Sequence, residues 1–210
     1  DPKTENQMKP LPTQARALKK RQATLDAAKL EFIERGFEQT TAKSIAARAG
    51  VATGTFYQYF DNKEEILQVL TRSRFEQLFD SINMPDLSQF KGPADFQGLR
   101  QVFASVVTYI YDFHRAESGF HEVLEHRRFA DKALDGLISD SEKVLLERVE
   151  QFVRLYKVDK PEALAFCLFA MAEGLVHRHV FHPAKVSRKA VISQGVDILS
   201  SYFEHLPSNN

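Results

Sequence analysis

The chain has 210 residues, 28 Lys and Arg against 28 Asp and Glu, a formal net charge of +0 and 43% hydrophobic residues. That composition predicts a globular chain with a core of ordinary size, as one large or two small domains, and excludes a uniformly basic nucleic-acid binder. Neither a bilayer-spanning apolar run nor a secretory signal is evident, so a cytoplasmic protein without membrane contact is expected.

Charge is uneven along the chain. Residues 1–63 carry 11 Lys and Arg against 7 Asp and Glu, and the remainder 17 against 21, which assigns phosphate binding to the amino-terminal part. The single cysteine, Cys167, rules out an internal disulfide framework and a multi-cysteine metal site. Its neighbours Phe166, Leu168 and Phe169 predict a buried small hydrophobe.

Residues 1–17 are polar, hold Pro2, Pro10 and Pro12, and show no helical stripe, so a mobile arm is expected. Arg16, Lys19, Lys20 and Arg21 follow at its junction with the first helix, as a solvated helix start or as contacts to DNA phosphates or a minor groove. Leu25, Ala28, Phe32 and Ile33 mark the apolar side of a helix over 17–35, and Gly36 ends it.

Thr40 or Thr41 supplies a hydroxyl cap for a short helix with Ile45, Ala46 and Ala49 on one face. Gly50 closes that helix in a left-handed conformation, Val51 plugs the turn, and another helix begins at Ala52 or Thr53, the layout of a helix-turn-helix. In this second helix Phe56 and Phe60 face inward, leaving Thr53, Gly54, Thr55, Tyr57, Gln58 and Tyr59 around the outside. Hydroxyls, phenols and an amide suit phosphates and base edges, Gln58 can pair with adenine, and Gly54 lets backbone approach backbone. Asn62 and Glu65 then resemble a capping box opening a helix over 63–82, with Lys63 in its first turn placed to meet a phosphate. Ile66, Leu67, Leu70, Phe75, Leu78 and Phe79 form its buried set, and its length links the two halves of the chain.

Leu25, Ala28, Phe32, Gly36, Thr40 and Thr41, with IAARAGV, GTFYQYF and NKEEIL, resemble the amino-terminal domain of tetracycline-repressor (TetR) family regulators. The resemblance covers about a quarter of the chain, residues 20–67, through several motifs in combination. It implies DNA contacts from Lys43, Thr53, Gly54, Thr55, Tyr57, Gln58, Tyr59 and Lys63. This chain has Ala52 where the family often has serine, so a cap and a phosphate contact would come from Thr53 or be absent.

Residues 83–94 read as a loop through Met84, Pro85, Gly92 and Pro93. Asp95 starts a helix carrying Leu99, Val102, Phe103, Val106, Ile110 and Phe113, interrupted by Thr108, Tyr109, Tyr111 and His114. A shorter helix over 117–128 and a long amphipathic one over 131–156 follow, with no competing strand signal. The segment 161–181, opened by Pro161, is apolar almost all round and predicts burial on two sides. Residues 187–206 carry Ile192, Val196, Leu199, Phe203 and Leu206, joined by Val191, Ile198 and Tyr202. That stripe exceeds what one intramolecular neighbour needs, so Ile192, Val196, Leu199 and Phe203, with Phe169, are expected at a homodimer interface. The resemblance implies the same pairing, as a four-helix bundle of the last two long helices.

Phe103, Tyr109, Phe113, Phe120, Phe166 and Phe169, with His114, Glu173 and His177 as polar anchors, suit an apolar cavity, and the resemblance implies an effector site there, assigned to Phe103, Val106, Tyr109, Ile110, Phe113, His114, Phe120, Phe166, Ala170 and His177. Ordinary core packing is the competing account of each aromatic. The sequence HEVLEH sets its histidines one place beyond the zinc-protease spacing, and of His177, His179 and His182 only the latter two stand a turn apart, so no metal is assigned. No phosphate-cradling loop, nucleophile elbow or thiol pair points to an enzyme or a cofactor.

The expectation is an all-α protein: an arm over 1–17, a three-helix helix-turn-helix DNA-binding domain over 18–66, and a larger helical ligand-binding and dimerisation domain over 67–210. Its function is that of a ligand-responsive repressor binding a palindromic double-stranded DNA operator as a homodimer and released by a small apolar or amphipathic effector. The alternatives are a helical protein-interaction module or an enzyme with an unrecognised site. Salt-dependent duplex binding separates them.

Overall fold

The computed structural model describes residues 9–81, 96–182 and 184–204. Its helices are α1 (Ala15–Arg35), α2 (Ala42–Arg48), α3 (Thr53–Tyr59), α4 (Lys63–Ser81), α5 (Phe96–Ala116), α6 (Ser118–Arg128), α7 (Lys132–Arg154), α8 (Pro161–Phe181) and α9 (Arg188–Glu204). Among the described residues there is no strand. The expected loop over 83–94, the start at Asp95, Leu206 and most of the arm's first half lie outside the described residues.

Local chemistry sets the helix-turn-helix. Thr41 and Ser44 form a reciprocal capping box, each hydroxyl accepting from the other's backbone amide at 3.1 Å, which satisfies two orphan donors at the start of α2. At its end Gly50 adopts φ +66°. Its amide donates to the Ala47 carbonyl and that of Val51 to the Ala46 carbonyl, at 3.2 and 3.0 Å, the paired closure of a helix by a left-handed residue. At the start of α4 Asn62 Oδ1 accepts from the Glu65 amide, and the Glu65 carboxylate reaches back to the Asp61 amide rather than to that of Asn62.

The chain divides into two compact units, Asp1–Glu76 with Gly119–Ile138, and Gln77–Ser118 with Ser139–Asn210. The first is built on Phe32, Ile45, Phe56, Phe60, Ile66 and Leu67, all fully buried, joined by Phe120, Leu124, Leu134 and Ile138 from α6 and the start of α7. This division differs from the boundary expected after residue 66. The break falls inside α4, and α6 groups with the helix-turn-helix because its apolar face is part of that core.

In the second unit α5 packs on α8 and α9. Its core holds Leu99, Val107, Phe152, Val153, Ala165, Leu168, Val196, Leu199 and Phe203. A Cβ at Gly195 would stand 2.7 Å from Leu175 Cδ1, so α9 meets the α8 side chains closely there. Helix α8 is long and apolar enough to cross a membrane by length and composition alone, contrary to the reading of the sequence. In the fold it buries Pro161, Ala165, Leu168 and Val176 and leaves a second apolar face outside.

Candidate nucleic-acid interface and effector cavity

Helix α3 buries Phe56 and sets Thr53, Gly54, Tyr57 and Gln58 in solvent, with Thr55 and Tyr59 half-buried. Phe56 and Phe60 anchor the inner side, their ring centroids 6.1 Å apart. The outer face carries hydroxyls, a phenol and an amide and no ionised side chain, which suits hydrogen bonding to base edges. Ala52 at the N-cap makes no side-chain cap bond, as its lack of a hydroxyl requires. Lys43 lies exposed on α2.

Two lysines have structural partners. Lys63 Nζ donates to the carbonyls of Phe37, Glu38 and Thr40 at 2.7, 3.2 and 2.9 Å. Its ammonium thus holds the α1–α2 connection as well as standing in the first turn of α4. Lys9 Nζ donates to the Tyr57 carbonyl at 2.6 Å and pairs with Asp61 at 2.7 Å. From Lys9 onward the arm is therefore fastened to the carboxyl end of α3, where a cation complements the helix dipole. Nothing in the sequence pattern signals that long-range contact.

Arg48 ties α2 to α1 through buried Glu31, at 2.8 Å, and through Glu34. Hydrogen bonding to the Arg48 guanidinium holds the Glu34 carboxyl below its usual range, and Glu34 in turn raises Arg48. This pair orients the two helices that present α3.

The second unit contains a cavity of about 50 Å³ lined by Leu78, Val106, Ile110, His114, Leu145, Arg148, Val149, Phe169 and Glu173. Its lining is mostly apolar, with His114, Arg148 and Glu173 as its polar groups. Of the ten effector residues expected, Val106, Ile110 and His114 line it. Phe103 instead packs against Phe152 and Phe203 in the core, at ring-centroid distances of 6.2 and 5.8 Å. Tyr109 stacks on Phe113 at 6.4 Å. Phe120 belongs to the core of the other unit. Phe166 and Ala170 are exposed, and His177 meets Glu173 and His114 beside the cavity.

The residues expected at a dimer interface lie largely inside the chain. Val196, Leu199 and Phe203 are buried within the chain itself, Ile192 packs against the same core, and Phe169 lines the cavity. The apolar residues that face outward on α8 and α9 are Phe166 (61% exposed), Met171, Ile198 (55%) and Tyr202. Cys167 is exposed among them, not buried as its neighbours suggest. Periodicity locates an apolar stripe but not which neighbour covers it, so on a helix with two apolar faces it does not tell the inner from the outer. Leu145 and Val149 belong to the apolar side of α7, whose periodicity does not separate cavity from core, and Arg148, a cation, carries no apolar signal.

The description "Bacterial regulatory proteins, tetR family" matches residues 25–70, and "Tetracyclin repressor-like, C-terminal domain" matches residues 98–203, about half the chain. The HTH-type transcriptional repressor BepR of Brucella suis is 44% identical over 66 residues, covering 31% of this chain and 32% of that protein. The HTH-type transcriptional regulator TtgR of Pseudomonas putida is 26% identical over 200 residues, covering 88% and 91%. The SmeT–triclosan complex shares the fold with TM-score 0.65 at 22% identity, covering 87% of this chain and 90% of that one.

Proposed function

The chain belongs to the tetR family of bacterial regulatory proteins and is a ligand-responsive, DNA-binding transcriptional regulator; we propose that it acts in the cytoplasm as a homodimeric repressor of a palindromic operator. The observation that carries this reading is the outer face of α3. Its Thr53, Gly54, Tyr57 and Gln58 stand in solvent on a turn fixed by Gly50, with Lys43 on the preceding helix. Such a face enters a major groove and reads it through hydrogen bonds, while cations around it meet phosphates.

The dimer forms through the outward apolar face of α8 and α9, Phe166, Met171, Ile198 and Tyr202. Two copies then place two α3 helices on the half-sites of a palindrome. The effector is a small apolar or amphipathic molecule in the α4–α5–α7–α8 cavity. TtgR and BepR are named as transcriptional regulators, and SmeT is seen in complex with triclosan. A cavity of about 50 Å³ is far below the roughly 300 to 1,000 Å³ of ordinary ligand sites. Effector binding therefore selects a widened arrangement, and this difference in affinity is what shifts DNA binding. Helices α4 and α7 contribute residues to both units and are the covalent route for that shift.

Titration of the full chain with genomic operator fragments and with random duplex, at several salt concentrations, tests the reading. A repressor of this kind shows sequence preference and a steep loss of affinity with salt. A protein-interaction module shows neither.

A further inference from the structure

His114 lies in α5, and Glu173 and His177 lie one turn apart in α8, all in the second unit. The Nε2 atoms of both histidines converge on one oxygen, Glu173 Oε2, at 3.8 Å from His114 and 3.4 Å from His177. The rings meet edge to face with centroids 4.9 Å apart. His114 Nδ1 sits 2.8 Å from the Ile110 carbonyl. A carbonyl only accepts, so Nδ1 carries the proton, and in neutral His114 the Nε2 lone pair is turned toward the Glu173 carboxylate. A positive charge between the two, a proton or a metal ion, stabilises this arrangement.

We propose that His114, Glu173 and His177 bind one divalent cation of the zinc class. Ligand atoms about 2.0 to 2.1 Å from zinc and tetrahedrally disposed lie roughly 3.4 Å apart. The His177–Glu173 separation of 3.4 Å matches this edge, and the 3.8 Å from His114 needs only a small rotation. The Nδ1 hydrogen bond to Ile110 supplies the outer contact that fixes ring orientation and tautomer in metal-binding histidines. Phe181 lies against both imidazoles, at 6.4 and 5.3 Å between centroids, and Phe113 edges onto His114, so the site has an apolar wall. His114 is buried, whereas Glu173 and His177 are partly exposed, which gives an ion a way in. Two imidazoles and a carboxylate suit zinc better than calcium or magnesium, which take oxygen ligands.

His114 and Glu173 also line the cavity, so the ion replaces an anionic edge with a Lewis-acidic one and favours an effector bearing an anionic or lone-pair donor. This consequence rests on the effector reading of the cavity; metal binding does not.

The test uses the full chain stripped with chelator and dialysed against Zn2+, with bound metal measured directly and Co2+ as a spectroscopic substitute. The expected result is one ion per chain, the intense visible absorption of tetrahedral Co2+, and an unfolding temperature that rises with free Zn2+. Glu173→Gln and His177→Gln each weaken binding by about tenfold or more, and His126→Gln, on α6, leaves it unchanged. Glu173→Gln conserves shape, so the comparison survives if another variant folds poorly. Absence of bound zinc in the wild type, or wild-type affinity in both Glu173→Gln and His177→Gln, overturns the proposal. The site would then be an imidazolium–carboxylate pair, with the effector reading untouched.

Discussion

The Lys63 ammonium donates to the Phe37 carbonyl at 2.7 Å and stands 4.5 Å from the centroid of the same residue's ring. One cation thus satisfies backbone acceptors where α1 turns into α2 and covers an aromatic face. A charged hydrogen bond and a cation–π contact predict that Lys63→Ala destabilises the first unit by about 1 to 3 kcal/mol. Any phosphate contact from Lys63 comes on top, so the variant should also bind all duplexes more weakly. Urea unfolding beside salt-dependent DNA titration separates the two losses. Unchanged stability would remove the structural role.

Gly54 lies inside α3, and an added Cβ there would meet nothing within 4 Å. Its φ is not left-handed, so Gly54→Ala should stabilise the helix by about 0.5 to 1 kcal/mol. If the backbone of α3 approaches DNA at this point, the same methyl group weakens operator binding. Greater stability with lower affinity is the expected pair of results from thermal unfolding and DNA titration. Unimpaired affinity would mean that Gly54 faces away from the groove.

Gln58 is exposed on the same face and carries the one side chain there with a bidentate amide. Gln58→Ala should cost about 1 to 3 kcal/mol on the preferred operator and leave random duplex unaffected. Equal losses on the two duplexes would assign Gln58 to phosphate contact instead.

The first unit is largely legible in the sequence because short-range chemistry specifies it. Thr41, Gly50, Asn62 and Glu65 act within four residues of their partners, and Phe56 and Phe60 lie one turn apart on a short helix with a single core. The second unit depends on which of two apolar faces meets which neighbour. Phe166 and Leu168 are two residues apart on α8 and equally apolar, yet one is exposed and the other is buried. Nor does spacing reveal that Glu173 brings His114 and His177 together, since His114 is on a different helix. Lys9 is hidden likewise, because its partners are about fifty positions away in the chain.

Adjacent residues of α9 separate assembly from folding. Leu199 is 3% exposed within the chain's own core, so Leu199→Ala should cost about 2 to 5 kcal/mol of stability. Ile198 faces out, and Ile198→Glu with Phe166→Glu should leave helix content and unfolding temperature near the wild type while yielding monomers, since a buried carboxylate opposes association. Sedimentation and circular dichroism on the two variants decide it. A dimer that survives the double Glu substitution places the interface elsewhere.

Val106 of α5 lines the cavity together with Val149 of α7 and Phe169 of α8. Val106→Phe directs a larger ring into a space of about 50 Å³, filling it and overpacking the free fold at a cost of about 1 to 3 kcal/mol. What it removes is the ability to widen around a ligand. An effector that couples to DNA binding by roughly 1 to 3 kcal/mol shifts operator affinity about fivefold to 150-fold, and Val106→Phe should abolish that shift while leaving the affinity of the ligand-free protein intact. A fluorescent naphthalene dye that brightens in apolar surroundings reports the same event directly: it should bind the wild type and fail to bind the variant. Dye binding undiminished in Val106→Phe would place the effector site outside this cavity.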